Sequence, residues 1–251
     1  SDLAHVHDMQ GRAHDGLDWL SGRETSWTHC NNFRFHVWWH RALLHLDLGQ
    51  YDMALHLYDR DIRAERTDDY RDISNAASLL MRLELEGVNV GHRWDELADL
   101  SERRADDGCL AFADLHYMLA LIGGGRETAV ARLVGRMAAA RMDAGEAEAI
   151  IAQPGASAAQ GLAAFAAGDH QQAWMHLSSV QHDLPRIGGS HAQRDVFVRL
   201  TIEAAIRSGR LDAAESLLAG RQAMRGGAWD GYADRRRHLI AAARDAARQG
   251  H

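Results

Sequence analysis

The chain has 251 residues with 28 basic and 35 acidic side chains, a formal net charge of −7. Hydrophobic residues make up 46% and charged residues 25%, an ordinary globular composition that excludes a disordered chain. The acidic balance argues against a general nucleic-acid binder, which needs a basic surface to displace counterions.

Every basic residue is Arg, and Pro occurs only twice, at Pro154 and Pro185. With so few breakers and so much Ala, the chain reads as helical throughout. Six stretches share one pattern: an amphipathic run, a Gly, then a second amphipathic run with a small residue five places after the Gly. The glycines are Gly11, Gly49, Gly87, Gly124, Gly168 and Gly209, spaced 38, 38, 37, 44 and 41 residues apart. Gly16, Ala54, Ala129, Ala173 and Ala214 supply the small residue, and only the third copy breaks the rule with His92. The clearest copy runs from Trp38 to Ile62, where Trp38, Ala42, Gly49, Tyr51, Ala54 and Tyr58 occupy the places that define a tetratricopeptide repeat. Gly49 permits a positive φ at the end of the first helix. Ala42 and Ala54 allow close helix approach. The expectation is an all-α protein: one domain over 1–251, a right-handed superhelical solenoid of about six hairpins with a concave inner surface. A capping helix over Tyr232 to Gln249 would close its end, and Arg235, Arg236 and Arg237 would form a solvated face of it.

Eight of the 16 histidines lie in the first 56 residues. His36 and His40 are four apart and share a helix face, a spacing at which two imidazoles can bind one zinc ion. Val37 stands where the general-base Glu of a zincin would be, and a third ligand would have to come from His5 or Asp8. Zinc or another divalent metal is therefore an alternative, and no cofactor is the leading expectation. Asp72 reads as the N-cap of the third hairpin, and Arg82 and Glu84 read as a polar network between helices. Counting back from each turn glycine places His36, Trp39 and His40 on the inner face, with Asp114 and His116 inward in the fourth hairpin. GGSHAQRDVF (Gly188 to Phe197) contains His191, Arg194 and Asp195, which either belong to a helix start capped by Ser190 or point into the same hollow. Cys30 beside His29 does not make a catalytic pair, because neighbours on a helix point in different directions.

HVWWHRALLHLDLGQYDMAL, ISNAASLLMRLELEG, DLHYMLAL and GGSHAQRDVF, in that order, resemble the C-terminal part of the tetratricopeptide repeat protein 38-like family. The resemblance spans nearly the whole chain and implies a helical solenoid. It implies no reaction. It puts His5, His36, His40, His45, Asp72, Asp114, His116, His191 and Asp195 in the family's characteristic motifs, with Val37 departing from a position that is often polar there. Members are usually longer, so the chain, which begins without Met, reads as a processed or truncated piece.

The leading functional expectation is a binding scaffold that holds a peptide or protein partner in a groove lined by His36, Trp39, His40, Asp114, His116, His191, Arg194 and Asp195. The alternative is a small-molecule or enzymatic site in the same groove, where histidine suits acid–base work or metal ligation. A third expectation is pairing of two copies through an apolar N-terminal face. Two cysteines, no basic-then-apolar leader and no long apolar run point to a reduced, cytoplasmic protein without membrane or nucleic-acid partners.

Overall fold

The computed structural model describes residues 6–8, 10–22 and 31–249, with side chains from residue 34 onward in the helix that opens at Asn31. Among these residues there is no strand, and no helix is long and apolar enough to cross a membrane. Among the described residues, α1 (Ala13–Leu20), α2 (Asn31–Asp47), α3 (Tyr51–Leu57), α4 (Tyr70–Leu85), α5 (Arg93–Arg104), α6 (Ala111–Gly123), α7 (Glu127–Ala138), α8 (Glu146–Ile150), α9 (Ala156–Ala166), α10 (His170–Ser179), α11 (His191–Arg207), α12 (Leu211–Met224) and α13 (Gly231–Gln249) follow one another, with short π or 3-10 turns at Tyr58–Ile62, Ile151–Gly155 and Leu184–Ile187. Consecutive helices pack on one another for most of the chain.

The sequence pattern explains which helices lie inside. α7 buries Ala129, Leu133 and Met137, a single i, i+4, i+8 stripe, and α10 buries only Ala173 and Leu177. Such helices cover a core with one face and meet water with the other. α4 is buried without a break from Ile73 to Leu83, α6 from Ala111 to Leu121, and α11 from Val196 to Ala205. A helix buried all round must be surrounded by others. α4 accordingly packs on α2 and α6, and also on α11, which comes more than a hundred residues later.

Contact between α4 and α11 corrects the expectation of an open inner surface. The faces assigned to a concave groove meet each other, so Trp39, His40, Asp114 and His116 are each exposed by 1% or less. The C-terminal helix is not a simple end cap either. It returns to the first third of the chain, where Asp47 Oδ1 at the end of α2 accepts a hydrogen bond from the Gly231 amide at 2.6 Å. A Cβ on Gly231 would lie 2.0 Å from the Asp47 carbonyl oxygen, so the two helix ends approach as closely as a glycine allows. Arg236 is buried rather than solvated. It donates to Glu203, Glu86 and the Leu85 carbonyl, and its guanidinium lies 4.6 Å from the centre of the Tyr232 ring. Arg237 instead lies over Trp229, 4.5 Å from its ring.

Smaller departures have local causes. Gly49 turns with φ +72° as expected, whereas in the fourth hairpin Gly125 rather than Gly124 takes the left-handed conformation. Asp69, not Asp72, caps α4 by accepting from the Arg71 amide. Asp72, one turn in, accepts instead from the Thr67 hydroxyl at 2.6 Å. His92 is exposed, because the turn after Gly87 is lengthened and Trp94 provides the buried residue in its place.

Burial and the neighbouring Asp230 push the Asp47 carboxyl up to about 6. An acid whose folded pKa exceeds its unfolded value of about 3.9 contributes stability below pH 4 and loses it as pH rises through 6. Asp47→Asn keeps an oxygen acceptor for Gly231 and removes the charge. Urea unfolding should show the variant more stable than wild type by about 2 kcal/mol at pH 7.5 and equal to it near pH 4.

Candidate functional site

On α2, His36, Trp39 and His40 fall at i, i+3 and i+4 and therefore on one face. The His36 ring stacks on Trp39 at 5.4 Å and 24°, and His40 stands edge-on to His36 at 4.7 Å. Hydrogen bonds tie the pair to α4 and α11. The Asn75 side-chain oxygen accepts from Gln193 Nε2 at 3.2 Å, so its NH2 donates to His36 Nδ1 at 3.3 Å. His36 Nε2 and His40 Nε2 share a hydrogen bond at 3.2 Å, and His40 Nδ1 faces the Asp8 carboxyl across 4.0 Å. Gln193 is held by the start of α11. Its Oε1 accepts from the Ser190 amide at 2.9 Å, and the Ser190 hydroxyl accepts from the Gln193 amide, completing a capping box.

Beyond Asp8 the line continues into a cluster of charges. Arg225 donates to the Asp8 carbonyl and lies 3.5 Å from Asp230 Oδ2. Arg221 is shared by two carboxylates: Nε and Nη2 reach Asp195 at 2.6 and 2.8 Å, and Nη1 and Nη2 reach Asp230 at 2.8 and 2.6 Å. Arg199 adds a bond to Asp195 at 2.8 Å. Burial works to raise the Asp195 carboxyl, but Arg221 and Arg199 outweigh it and hold the group well below its ordinary value. Asp8 has the opposite outcome, because its burial outweighs Arg225 and raises its pKa. Arg82 is fully buried beside them. It donates to the Ala192 carbonyl, while its Nε and Nη1 have no partner and no carboxylate pairs with it among the described residues. Burial and the nearby Arg199 pull its pKa down to about 9, which leaves it charged at neutral pH.

This cluster opens to solvent through a cleft of about 70 Å³. His191, Arg194, Asp195, Arg221 and Arg225 form its polar side, and Leu184, Pro185, Val198 and Met224 its apolar side. Volume limits what enters, since roughly 10–15 Å³ of such space holds one water.

Six of the eight candidates from the sequence thus belong to one connected place: His36, Trp39 and His40 at its inner end, His191, Arg194 and Asp195 at the cleft. Asp114 does not join them. Its Oδ1 pairs with Arg136 at 2.6 Å and ties α6 to α7. His116 packs between Phe112 and Phe197, at 4.3 and 5.1 Å, and its Nδ1–H donates to the Phe112 carbonyl at 2.7 Å. His45 holds a turn by bonding Gln50 at 2.6 Å. His5, His29 and Cys30 lie outside the described residues. The histidine pair offers a metal two imidazoles, and among the described residues no group of three or more His, Cys, Asp or Glu could hold a metal ion. Sequence reasoning missed Arg199, Arg221, Arg225 and Asp230. A signal existed for Arg221: it continues the buried stripe of Ala214 and Leu218 at i, i+4, i+7, a place where a charge needs partners. No family model matches the chain, and no solved structure matches it.

Burial lowers the His116 pKa to about 4. The unfolded chain, with a histidine near 6.5, binds the extra proton first as pH falls. His116 therefore takes stability away between pH 6.5 and 4 and is neutral in effect above that window. His116→Leu should flatten this limb, with wild type losing about 3 kcal/mol more than the variant between pH 7 and pH 4 in urea unfolding.

Proposed function

We propose that the protein binds a small molecule in the cleft at the start of α11, using helical hairpins of tetratricopeptide type wound tightly enough to close on themselves. The observation that carries this reading is convergence. Residues 181–185, α11 and α12 line one opening, and directly behind it Arg225 reaches the Asp8 carbonyl, 217 residues away, while Arg221 joins Asp195 to Asp230. His36 and His40, bonded to each other behind the cleft, are groups of a type suited to acid–base work.

A groove for a peptide, the reading expected first, is less well supported. Trp39 and His40, which would face such a partner, are covered by their own neighbours. The cleft holds a small molecule or the tip of a side chain rather than an extended strand.

Met224 lines the cleft and is 56% exposed, so Met224→Trp can plug the opening without disturbing the core. Purified protein is equilibrated with a metabolite extract, washed and denatured, and the released compounds are measured by mass spectrometry. Wild type should release at least one compound in near-stoichiometric amount, and Met224→Trp should release about tenfold less at unchanged melting temperature. Equal release from both, or none from wild type, contradicts the reading.

A further inference from the structure

We propose that the cleft is an oxyanion site, taking the carboxylate or phosphoryl head of a small organic anion. The inference rests on the reading of the cleft as a small-molecule site and deepens it by naming the ligand's chemistry.

Three guanidiniums line the cleft, those of Arg194, Arg221 and Arg225, with the imidazole of His191 exposed beside them. Asp195 is the one carboxylate in the lining, and both its oxygens are already taken by Arg221 and Arg199; Asp230 behind it holds Arg221 and lies 3.5 Å from Arg225, so among the described residues Arg194 is the lining guanidinium that no carboxylate meets. Behind the first turn of α11, though not in the lining, Arg82 adds a buried positive charge that no carboxylate meets among the described residues. A low-dielectric interior magnifies an unmatched charge of this kind, and an entering anion is the natural complement.

Arg194 is the residue placed to receive it. Its Nη1 donates to the carbonyls of Gly188 and Gly189, which fixes the guanidinium at the rim. No carboxylate pairs with Arg194 among the described residues, and its Nε and Nη2 have no protein acceptor there. A guanidinium pinned by one nitrogen and open along its other edge presents the fork that carboxylate and phosphate accept in bidentate fashion. The site also lies at the positive end of α11, a helix of 17 residues, whose dipole favours the same sign of ligand.

Space and surroundings define the rest of the ligand. A volume of about 70 Å³ admits an anionic head and a few further atoms. Leu184, Pro185 and Met224 beside it suit a short hydrocarbon portion. The two head groups share one chemistry, so the test separates them.

The full chain is titrated calorimetrically with sodium butyrate, sodium phosphate, butylammonium chloride and butanol, at ionic strength held constant with sodium chloride. Wild type, Arg194→Met, Arg194→Lys and Met224→Trp are compared. Butyrate or phosphate should bind to wild type about tenfold or more tightly than to Arg194→Met, with Arg194→Lys between them because it keeps the charge and loses the fork. Melting temperatures without ligand should match, since Arg194 bonds only loop carbonyls. Butyrate alone assigns a carboxylate, phosphate alone a phosphoryl group, and either supports the inference. Butanol or butylammonium binding as well as butyrate, or anion binding indifferent to Arg194→Met yet abolished by Met224→Trp, overturns the oxyanion inference and leaves a small-molecule cleft standing. Binding by none of the four probes overturns it too, and the extract experiment then decides separately whether the cleft binds anything.

Discussion

A guanidinium taken out of water has to be met by oxygen, and in this protein the oxygen comes from far along the chain. Six arginines are buried among the described residues: Arg63, Arg82, Arg199, Arg221, Arg225 and Arg236. Arginine cannot relieve the cost by losing its proton, as a buried lysine can. Each must therefore collect carboxylates or carbonyls, and breaking one partner strands the other. Arg236 on α13 takes Glu86 at the end of α4 and Glu203 on α11, and Arg225 takes the backbone of Asp8. Those acceptors hold the last helices against the first ones and give the molecule its closed form.

Closure in turn decides what the inner helices can do. In an open arc the first helix of each hairpin would show one face to solvent. Here α4 and α11 touch, the inner faces become core, and polar groups that would have lined a groove are confined to one buried line ending in a cleft. Confinement changes their chemistry. Two imidazoles bonded to each other, a carboxyl raised by burial at Asp8 and one depressed by arginines at Asp195 lie close together. Groups of one type pushed in opposite directions by their surroundings are the usual arrangement of a site that handles protons or charged ligands.

Much of this was legible in the sequence, and the illegible part has a physical cause. The turn at Gly49, the small residues Ala54, Ala129 and Ala173, and the Ser190 cap are local features, set by neighbours within one or two turns, and local patterning reveals them. His36 with His40 and the GGSHAQRD segment drew attention because their residues are expensive to bury, and they meet through Asn75 and Gln193. Nothing periodic announces a bond such as Gln193 to Asn75, 118 residues apart, or Arg236 to Glu86, 150 apart. The Arg235–Arg237 run illustrates the point: a solvated face is the sound reading until a carboxylate from another helix is known to lie above it. Asp114 and His116 show the reverse error, since sharing an inward register with His36 did not bring them to the same place.

The most direct test of the closed architecture is a double-mutant cycle between Glu86 and Arg236, on helices distant in sequence that an open arc would keep apart. Glu86→Gln, Arg236→Met and the double variant are unfolded in urea at pH 7 beside wild type. The closed form predicts a coupling free energy of about 1–3 kcal/mol between the two positions. Effects that add to within about 0.5 kcal/mol would contradict it.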